Sequence, residues 1–223
     1  MVDVTEMSMI QQLIYYMGQN GAYVWSQFLR HFLISIYGVV FASIVGIPIG
    51  FWLARHAKMA DWAIGAANVI QTIPSLAMLS ILMLGLGVGA DTVVMTVFLY
   101  SLLPILKNTY AGVRNVDHSL LDAGKGMGMT RWQLTYKVEL PLALSVIMAG
   151  IRNALVVAIG ITAIGTFIGA GGLGDIITRG VNATDGGSII LAGTIPTAFM
   201  AIISDLFLGW LEKKVDPSNR TKK

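Results

Sequence analysis

Long apolar stretches that carry almost no charge are the feature that most restricts what this chain can fold into. Each is about 20 residues long, the length that an α-helix needs to cross the hydrocarbon core of a bilayer. We predict five spans, at about residues 32–54, 62–86, 92–110, 141–164 and 188–211. Charged residues make up only 12% of the 223 residues, about half their share in soluble proteins. The sequence therefore predicts an all-α integral membrane protein with a single domain.

The two ends of the chain differ from the spans. Residues 1–28 are mixed and aromatic, with Tyr15, Tyr16 and Trp25 among them, and such residues favour the headgroup level of a membrane. We predict an interfacial segment outside the cell, with a loosely ordered tail as the alternative. The first 29 residues contain no lysine or arginine, so no charged start of a cleavable signal peptide is present. Residues 29–211 form the predicted transmembrane domain, and residues 212–223 a basic cytoplasmic tail.

The distribution of lysine and arginine predicts the orientation, because these residues collect on the cytoplasmic side of membrane proteins. With the loop between spans three and four inside, twelve of the 15 basic residues lie inside. They are Arg55, Lys58, Lys107, Arg114, Lys125, Arg131, Lys137, Lys213, Lys214, Arg220, Lys222 and Lys223. Only Arg30 and Arg179 lie outside, and Arg152 lies within a span. The N-terminus is therefore predicted outside a bacterial cell membrane and the C-terminus inside.

The cytoplasmic loop of residues 117–141 is long, polar and rich in glycine. Ser119 is predicted to cap a short helix that has Asp122 in its first turn. Thr130 and Gln133 have the spacing of a capping box, which predicts a second short helix. The two helices flank Gly126–Met129, and Pro141 suits the first turn of the next span. This loop is longer than a simple connection between two helices, so we interpret it as a docking surface for a soluble partner. An ordinary connecting loop is the alternative.

The same loop resembles the cytoplasmic loop of ABC importer permeases. The family pattern is Glu-Ala-Ala, three residues, Gly, nine residues, Ile, one residue, Leu-Pro. This sequence matches it with Asp122, Ala123, Gly124, Gly128, Val138, Leu140 and Pro141. The departures are Asp for Glu, Gly for Ala and Val for Ile. The resemblance implies a type I importer fold like that of methionine importers, in which this loop is the coupling helix that enters a groove of an ATP-hydrolysing subunit.

Two further segments carry a narrower resemblance. Gln71–Ala77 and Gly169–Gly174 are similar to segments of osmoprotectant permeases, which import glycine betaine, carnitine or choline. The permeases of methionine-type amino-acid importers are the alternative within the same fold. The resemblance implies three kinds of partner: two ABC ATPase subunits, a second permease subunit that is identical or homologous, and an extracellular solute-binding lipoprotein.

Several functions are not supported by any motif. The chain has no P-loop pattern, so ATP is expected to bind a partner and this chain to need no cofactor of its own. Gly169–Gly174 matches the dinucleotide fingerprint G-x-G-x-x-G, but it follows an apolar helix instead of a strand, which favours a tight turn. No set of residues suggests catalysis, a metal site or nucleic-acid binding. A channel or membrane enzyme that works alone is the alternative from another class.

Polar residues inside the predicted spans are the remaining candidates for function. Arg152 lies 11 residues after Pro141, roughly 16 Å along the helix, and an arginine there needs a partner or a wet cavity. Asp205 in span five is the predicted partner, with substrate contact as the alternative. Gln71, Thr72, Ser75 and Asn153 are predicted to line a translocation path, since Pro74 frees backbone carbonyls nearby. Hydrogen bonds between helices are the alternative for these four.

Overall fold

The protein is helical throughout the part of the chain that a computed structural model describes, residues 7–215. The helices are α1 (Met9–Ala54), α2 (Ala57–Thr72), α3 (Ser75–Leu86), α4 (Ala90–Arg114), α5 (His118–Gly126), α6 (Arg131–Leu134), α7 (Leu140–Ile164), α8 (Leu173–Val181) and α9 (Gly187–Val215). A π-helical turn, Thr135–Glu139, joins α6 to α7, and a 3₁₀ turn, Gly165–Ile168, follows α7. Residues 1–6 and 216–223 of the two predicted terminal segments lie outside the described residues.

The predicted class, an all-α membrane protein, is confirmed. Four helical stretches are long and apolar enough to cross a membrane, namely α1, α4, residues 131–168 and α9. The pair α2 and α3 supplies a fifth if the two helices are counted as one span. The helices of the third, fourth and fifth predicted spans agree with the prediction to within four residues at each end.

The helix that contains the first predicted span begins much earlier than that span. α1 is one helix of 46 residues that starts at Met9 and continues through Pro48, so it also includes most of the predicted interfacial segment. Nothing between Met9 and Phe32 stops a helix, since this stretch has no proline. At 1.5 Å per residue α1 is roughly 69 Å long, about twice the thickness of the hydrocarbon core.

The second predicted span is not one helix. α2 ends at Thr72, α3 begins at Ser75, and the helical path bends by 98° between them. Pro74 explains the break, because it lacks an amide proton and its ring disfavours helical backbone at the preceding residue, Ile73. The predicted end of this stretch at glycines is confirmed: Gly87 and Gly89 have φ values of 80° and 115° and form the turn into α4.

The described residues form two compact units, each made of segments from several helices. The first contains the chain up to Gly38, Ile73–Val97 and Val157–Ile203. Its helices pack closely through glycine. A Cβ atom at Gly38 would lie 2.3 Å from a methyl carbon of Val97, and one at Gly165 would lie 2.6 Å from Val93. Small residues at such crossings let two helix backbones approach, which is how helices associate in lipid.

The second unit contains Val39–Thr72, Phe98–Val156 and the described residues from Ser204 onward. One apolar cluster joins Phe51, Val113 and Ile147, and another joins Leu53, Ala60 and Leu106. Close packing through glycine recurs here, since a Cβ atom at Gly50 would lie 2.6 Å from Thr109. The loop of residues 117–141 belongs to this unit.

Candidate functional site

The loop between α4 and α7 folds as two short helices with a tight turn between them. The carboxylate of Asp117 caps α5 by accepting a hydrogen bond from the Ser119 amide at 2.8 Å. Ser119 is therefore not the cap, and that prediction is wrong by two residues. The predicted capping box is confirmed: Thr130 accepts a hydrogen bond from the Gln133 amide, and the Gln133 side chain accepts one from the Thr130 amide.

The turn between α5 and α6 depends on Gly128. The Met129 amide donates to the Gly124 carbonyl, and the Gly128 amide donates to the Lys125 carbonyl. These two bonds form a Schellman motif, which requires a left-handed residue at its penultimate position. Gly128 supplies it with a φ of 78°. The glycine of the family pattern is thus explained by backbone geometry.

The other motif residues divide between the surface and the packed side of the segment. Asp122 and Ala123 are exposed, and Asp122 pairs with Lys125 at 2.9 Å. Gly124 is buried against α6, where a Cβ atom would lie 3.0 Å from Leu134. An alanine at this position would therefore require the Leu134 side chain to shift by a few tenths of an ångström.

Val138, Leu140 and Pro141 form the junction with the span. Val138 belongs to the π-helical turn, and Pro141 is the second residue of α7. A proline ring inside a helix clashes with the carbonyl four residues before it. The wider π turn directly before Pro141 accommodates that ring, so the helical path from Arg131 to Ile164 is unbroken.

Two carboxylates of the segment are outside the spans and titrate below their ordinary range. The hydrogen bond from the Ser119 backbone holds the pKa of Asp117 below its usual value. The hydrogen bond from Lys125 lowers the pKa of Asp122 in the same way. Both groups are therefore ionised at neutral pH, and each stabilises α5 in its charged form.

An ion pair ties the segment to the end of α1, and the sequence reasoning missed it. Arg55 donates one hydrogen bond to Glu139 at 2.5 Å and another to the Thr135 hydroxyl at 2.7 Å. Glu139 is buried. An acidic residue at the start of an apolar span was the available signal, because such a group needs a partner. Arg55 lies 84 positions away, so the sequence did not identify it.

Arg152 and Asp205 are brought together. The guanidinium donates two hydrogen bonds to the carboxylate, one from Nε and one from Nη2 at 2.6 Å. Glu212, about two turns further along α9, lies 3.7 Å from Nη1. Gly209 lies between the two acidic residues, and a Cβ atom there would be 3.2 Å from Nη1 of Arg152. The missing side chain leaves room for the guanidinium across α9.

The four predicted path residues occupy different positions. Gln71 and Thr72 form the end of α2, and each bonds a backbone carbonyl: Gln71 that of Tyr100 at 2.9 Å, Thr72 that of Val69 at 2.7 Å. Ser75 is the first residue of α3. Asn153 is exposed on α7. Gln71 and Thr72 thus point to different partners although they are adjacent.

The glycine-rich stretch forms a tight turn over Gly169–Gly172, and the predicted end of the turn at Gly174 lies instead at the start of α8. Gly169, Gly171 and Gly172 all have φ between 73° and 83°. Side chains of α1 hold this turn, which the sequence reasoning did not foresee. Gln27 accepts a hydrogen bond from the Gly172 amide, and Arg30 donates one to the Ala170 carbonyl.

His31 completes this contact between α1 and the turn. It is fully buried. Its Nδ1 accepts a hydrogen bond from the Leu173 amide at 3.2 Å, and its Nε2 lies 2.9 Å from the Ile159 carbonyl. An amide donor at Nδ1 and a carbonyl acceptor at Nε2 together require a neutral ring with its proton on Nε2. His31 is therefore a packing residue that fixes the turn.

The helices define the class of protein: an all-α membrane protein with the fold of importer permeases. A solved structure of the MetNI methionine ABC transporter, in an inward-facing conformation, has the same fold. Its matched chain is 18% identical, with a TM-score of 0.76 over 86% of this chain and 95% of that one. This likeness confirms the predicted methionine-importer-like fold.

The family follows from the sequence comparisons. The chain belongs to the family of binding-protein-dependent transport system inner membrane components, whose model matches residues 46–217. It is 62% identical to the carnitine transport permease protein OpuCD of Listeria monocytogenes, over 97% of both chains. It is 61% identical to the glycine betaine/carnitine/choline transport system permease protein OpuCD of Bacillus subtilis, over 97% of this chain and 94% of that one.

Proposed function

We propose that this chain is the permease subunit of an ATP-driven importer for a compatible solute with a quaternary ammonium group: glycine betaine, carnitine or choline. The observation that carries the proposal is the identity of 61–62% to permeases named for these solutes, across nearly the full length of both chains. The likeness to the methionine transporter is limited to the fold at 18% identity. It therefore gives no support to methionine as the substrate.

The proposed assembly has three further kinds of subunit. Two ABC ATPase subunits bind and hydrolyse ATP, a second permease subunit completes the membrane-spanning part, and an extracellular binding lipoprotein delivers the solute. The absence of a P-loop from the sequence and the binding-protein-dependent family support this division of labour. The lysine and arginine distribution supports an outside N-terminus and a cytoplasmic C-terminus.

We assign ATPase coupling to the segment of residues 117–141. Large apolar side chains project from it into solvent, including Met127 with 72% and Leu120 with 47% of their surface exposed. Side chains of this kind on a soluble-facing surface mark a protein interface. Because α6 continues through the π turn into α7, a displacement of the docked segment reaches a membrane span directly. The Arg55–Glu139 pair connects the same movement to α1.

We place the solute path at Gln71, Thr72, Ser75 and Asn153. The break between α2 and α3 supports this assignment, because non-helical backbone within a membrane is tolerated where it lines a cavity. Discontinuous helices also form the substrate sites of many transporters. Arg152 and Asp205 are assigned a structural role, since each satisfies the other.

Uptake by reconstituted vesicles tests the function. The chain is assembled with the ATPase, second permease and binding lipoprotein of its own organism, and ATP is supplied on the ATPase side. We expect ATP-dependent accumulation of labelled glycine betaine, carnitine or choline, and none of labelled methionine. Accumulation of methionine alone would instead indicate an amino-acid importer. Solute movement that needs no ATP would indicate a channel.

A further inference from the structure

A groove of about 530 Å³ lies between the last two turns of α1 and the helical path from Arg131 to Leu140. It is distinct from the turn between α5 and α6, and the proposed function assigns it no ligand. Its walls have three kinds of chemistry: an apolar floor, an aromatic rim and cationic side chains. All of these residues belong to the second of the two compact units.

The apolar floor belongs to the membrane part of α1. Ile47 and Phe51 lie on α1, and Leu140 lies opposite them at the start of α7. The uncharged run of α1 ends at Ala54, and Arg55, His56 and Lys58 follow at once. The floor therefore lies on the hydrocarbon side of the point where the span leaves the lipid, while the open end lies at headgroup level.

The rim consists of aromatic residues that suit this level. Trp132 and Tyr136 are 74% and 62% exposed, and their rings stack with centroids 6.0 Å apart. Trp52, on the α1 side, is 43% exposed. Tryptophan and tyrosine are enriched where hydrocarbon meets the headgroups, because their rings combine an apolar body with a polar edge.

The cations leave the groove with an excess positive charge. Arg55 is paired with Glu139. Arg131 is exposed, and its guanidinium has no hydrogen-bond or ion-pair partner among residues 7–215. Two arginines and one glutamate give a net charge of about +1. An anionic group at the open end of the groove would thus give the Arg131 guanidinium a partner.

We propose that this groove binds an anionic phospholipid. The lipid phosphate is held by Arg131 beside Arg55, and an acyl chain lies along Ile47, Phe51 and Leu140. Basic pockets between membrane helices on the cytoplasmic side bind anionic headgroups in this way. A soluble protein suits the groove less well, because it would have to enter below the end of the apolar run of α1. The orientation proposed above assigns the lipid to the inner leaflet.

Fluorescence quenching by brominated lipid tests the site. The full chain is reconstituted into phosphatidylcholine vesicles that contain increasing amounts of phosphatidylglycerol with brominated acyl chains, at fixed ionic strength. Bromine quenches nearby tryptophan, so we expect phosphatidylglycerol to quench more than brominated phosphatidylcholine does at the same mole fraction. The Trp52→Phe variant should lose much of this excess quenching.

Two arginine variants provide the matched comparison. Arg131→Gln should raise the half-maximal lipid fraction by about fivefold, the effect of one basic residue at a membrane surface. Arg131→Lys, which retains the charge, should shift it much less. Arg114→Gln removes the same charge from an exposed position on α4 outside the groove. This variant should leave the half-maximal lipid fraction unchanged. Equal shifts in Arg131→Gln and Arg114→Gln would overturn the proposal.

Two competition experiments distinguish a bound lipid from a free anion and from an ATPase subunit. If 50 mM inorganic phosphate abolishes the excess quenching, the site holds a free anion and not a lipid. If assembly with the ATPase subunits removes the excess quenching, the groove is a docking surface for an ATPase subunit. Either result would overturn the proposal. Excess quenching that survives both additions supports it.

Discussion

At the scale of single residues, glycine decides where the backbone can come close to a neighbour. Gly174, at the start of α8, is the sharpest case, because a Cβ atom there would lie 2.1 Å from the carbonyl oxygen of Ala163. The neighbour is backbone, so no side-chain rotation can relieve the clash. The sequence indicated a turn over Gly169–Gly174 but gave no reason for the last glycine, which becomes visible only when α7 and α8 are placed together.

Replacement of Gly174 by alanine should therefore destabilise the first unit. We expect Gly174→Ala to lower the free energy of unfolding by about 1–3 kcal/mol, as overpacking does. Thermal unfolding of the purified chain in detergent measures the effect. Gly160→Ala is the matched control, since a Cβ atom at Gly160 meets no atom within 4 Å. Equal melting temperatures for Gly174→Ala and the parent chain would contradict the packing described here.

The contact of Arg152 with Asp205 is the second residue-scale prediction. Arg152→Gln leaves Asp205 without its partner, and Asp205→Asn leaves Arg152 with only the more distant Glu212. Each variant should therefore melt at a lower temperature than the parent chain, by roughly 3 °C or more. In the double variant neither charge remains, and its loss should be smaller than the sum of the two single losses. Strictly additive losses would show that the two residues do not interact.

At the scale of elements, the caps show what short-range patterns can decide. The Thr130–Gln133 capping box was predictable because both partners are three residues apart and no competing cap lies nearby. The start of α5 was not, because Asp117 and Ser119 are both good caps and lie two residues apart. Local chemistry could not choose between them. In the folded chain the Asp117 carboxylate accepts the hydrogen bond from the Ser119 amide, and α5 begins at His118.

The cap on α5 should respond to acid. The pKa of Asp117 is lowered in the folded chain, so its stabilising charge is fully present above the ordinary aspartate range. That contribution is lost as the pH falls through the lowered value. The measurement is the rate of hydrogen exchange in peptides covering His118–Gly126, divided by the rate in the Asp117→Asn variant. This ratio should be about threefold higher at pH 3 than at pH 5. Asparagine caps without titrating, so an unchanged ratio would contradict the role of Asp117.

The proposed coupling role of residues 117–141 belongs to the same scale. Gly128→Glu places a side chain at a φ of 78°, and Asp122→Arg reverses the charge on the exposed face of α5. In the assembled transporter we expect both variants to insert normally, to retain less ATPase on purification and to lower uptake at least about tenfold. Asp91→Arg, an exposed aspartate at the start of α4, is the control. Normal uptake and normal retention of the ATPase in both variants would refute the assignment.

At the scale of the whole molecule, hydropathy gave the helical membrane class and most helix bounds. This works because lipid offers no hydrogen-bond partners, so every backbone group in a span must be satisfied within a helix. The same rule could not predict that α1 begins at Met9, because helix formation outside the lipid leaves no hydropathy signal. Contacts such as Arg55–Glu139 and His31–Leu173, with partners 84 and 142 positions apart, depend on which helices become neighbours.

The orientation of the molecule can be tested with introduced cysteines, since the chain has none. A single cysteine introduced as Lys125→Cys should react with a membrane-impermeant maleimide only after cells are permeabilised. One at Asn182, in the exposed turn after α8, should react in intact cells. Uptake by each variant confirms that the fold is intact. The reverse labelling pattern would invert the proposed topology.

The π turn at Thr135–Glu139 has a consequence for how movement passes along the molecule. Each residue of an α-helix advances the direction of its side chains by about 100°, and a π turn holds one residue more than an α turn. If this turn were rewound as regular α-helix, α7 would rotate about its own axis relative to α6. A displacement of residues 117–141 that rewinds this turn would therefore rotate α7 and change the residues that it presents to its surroundings.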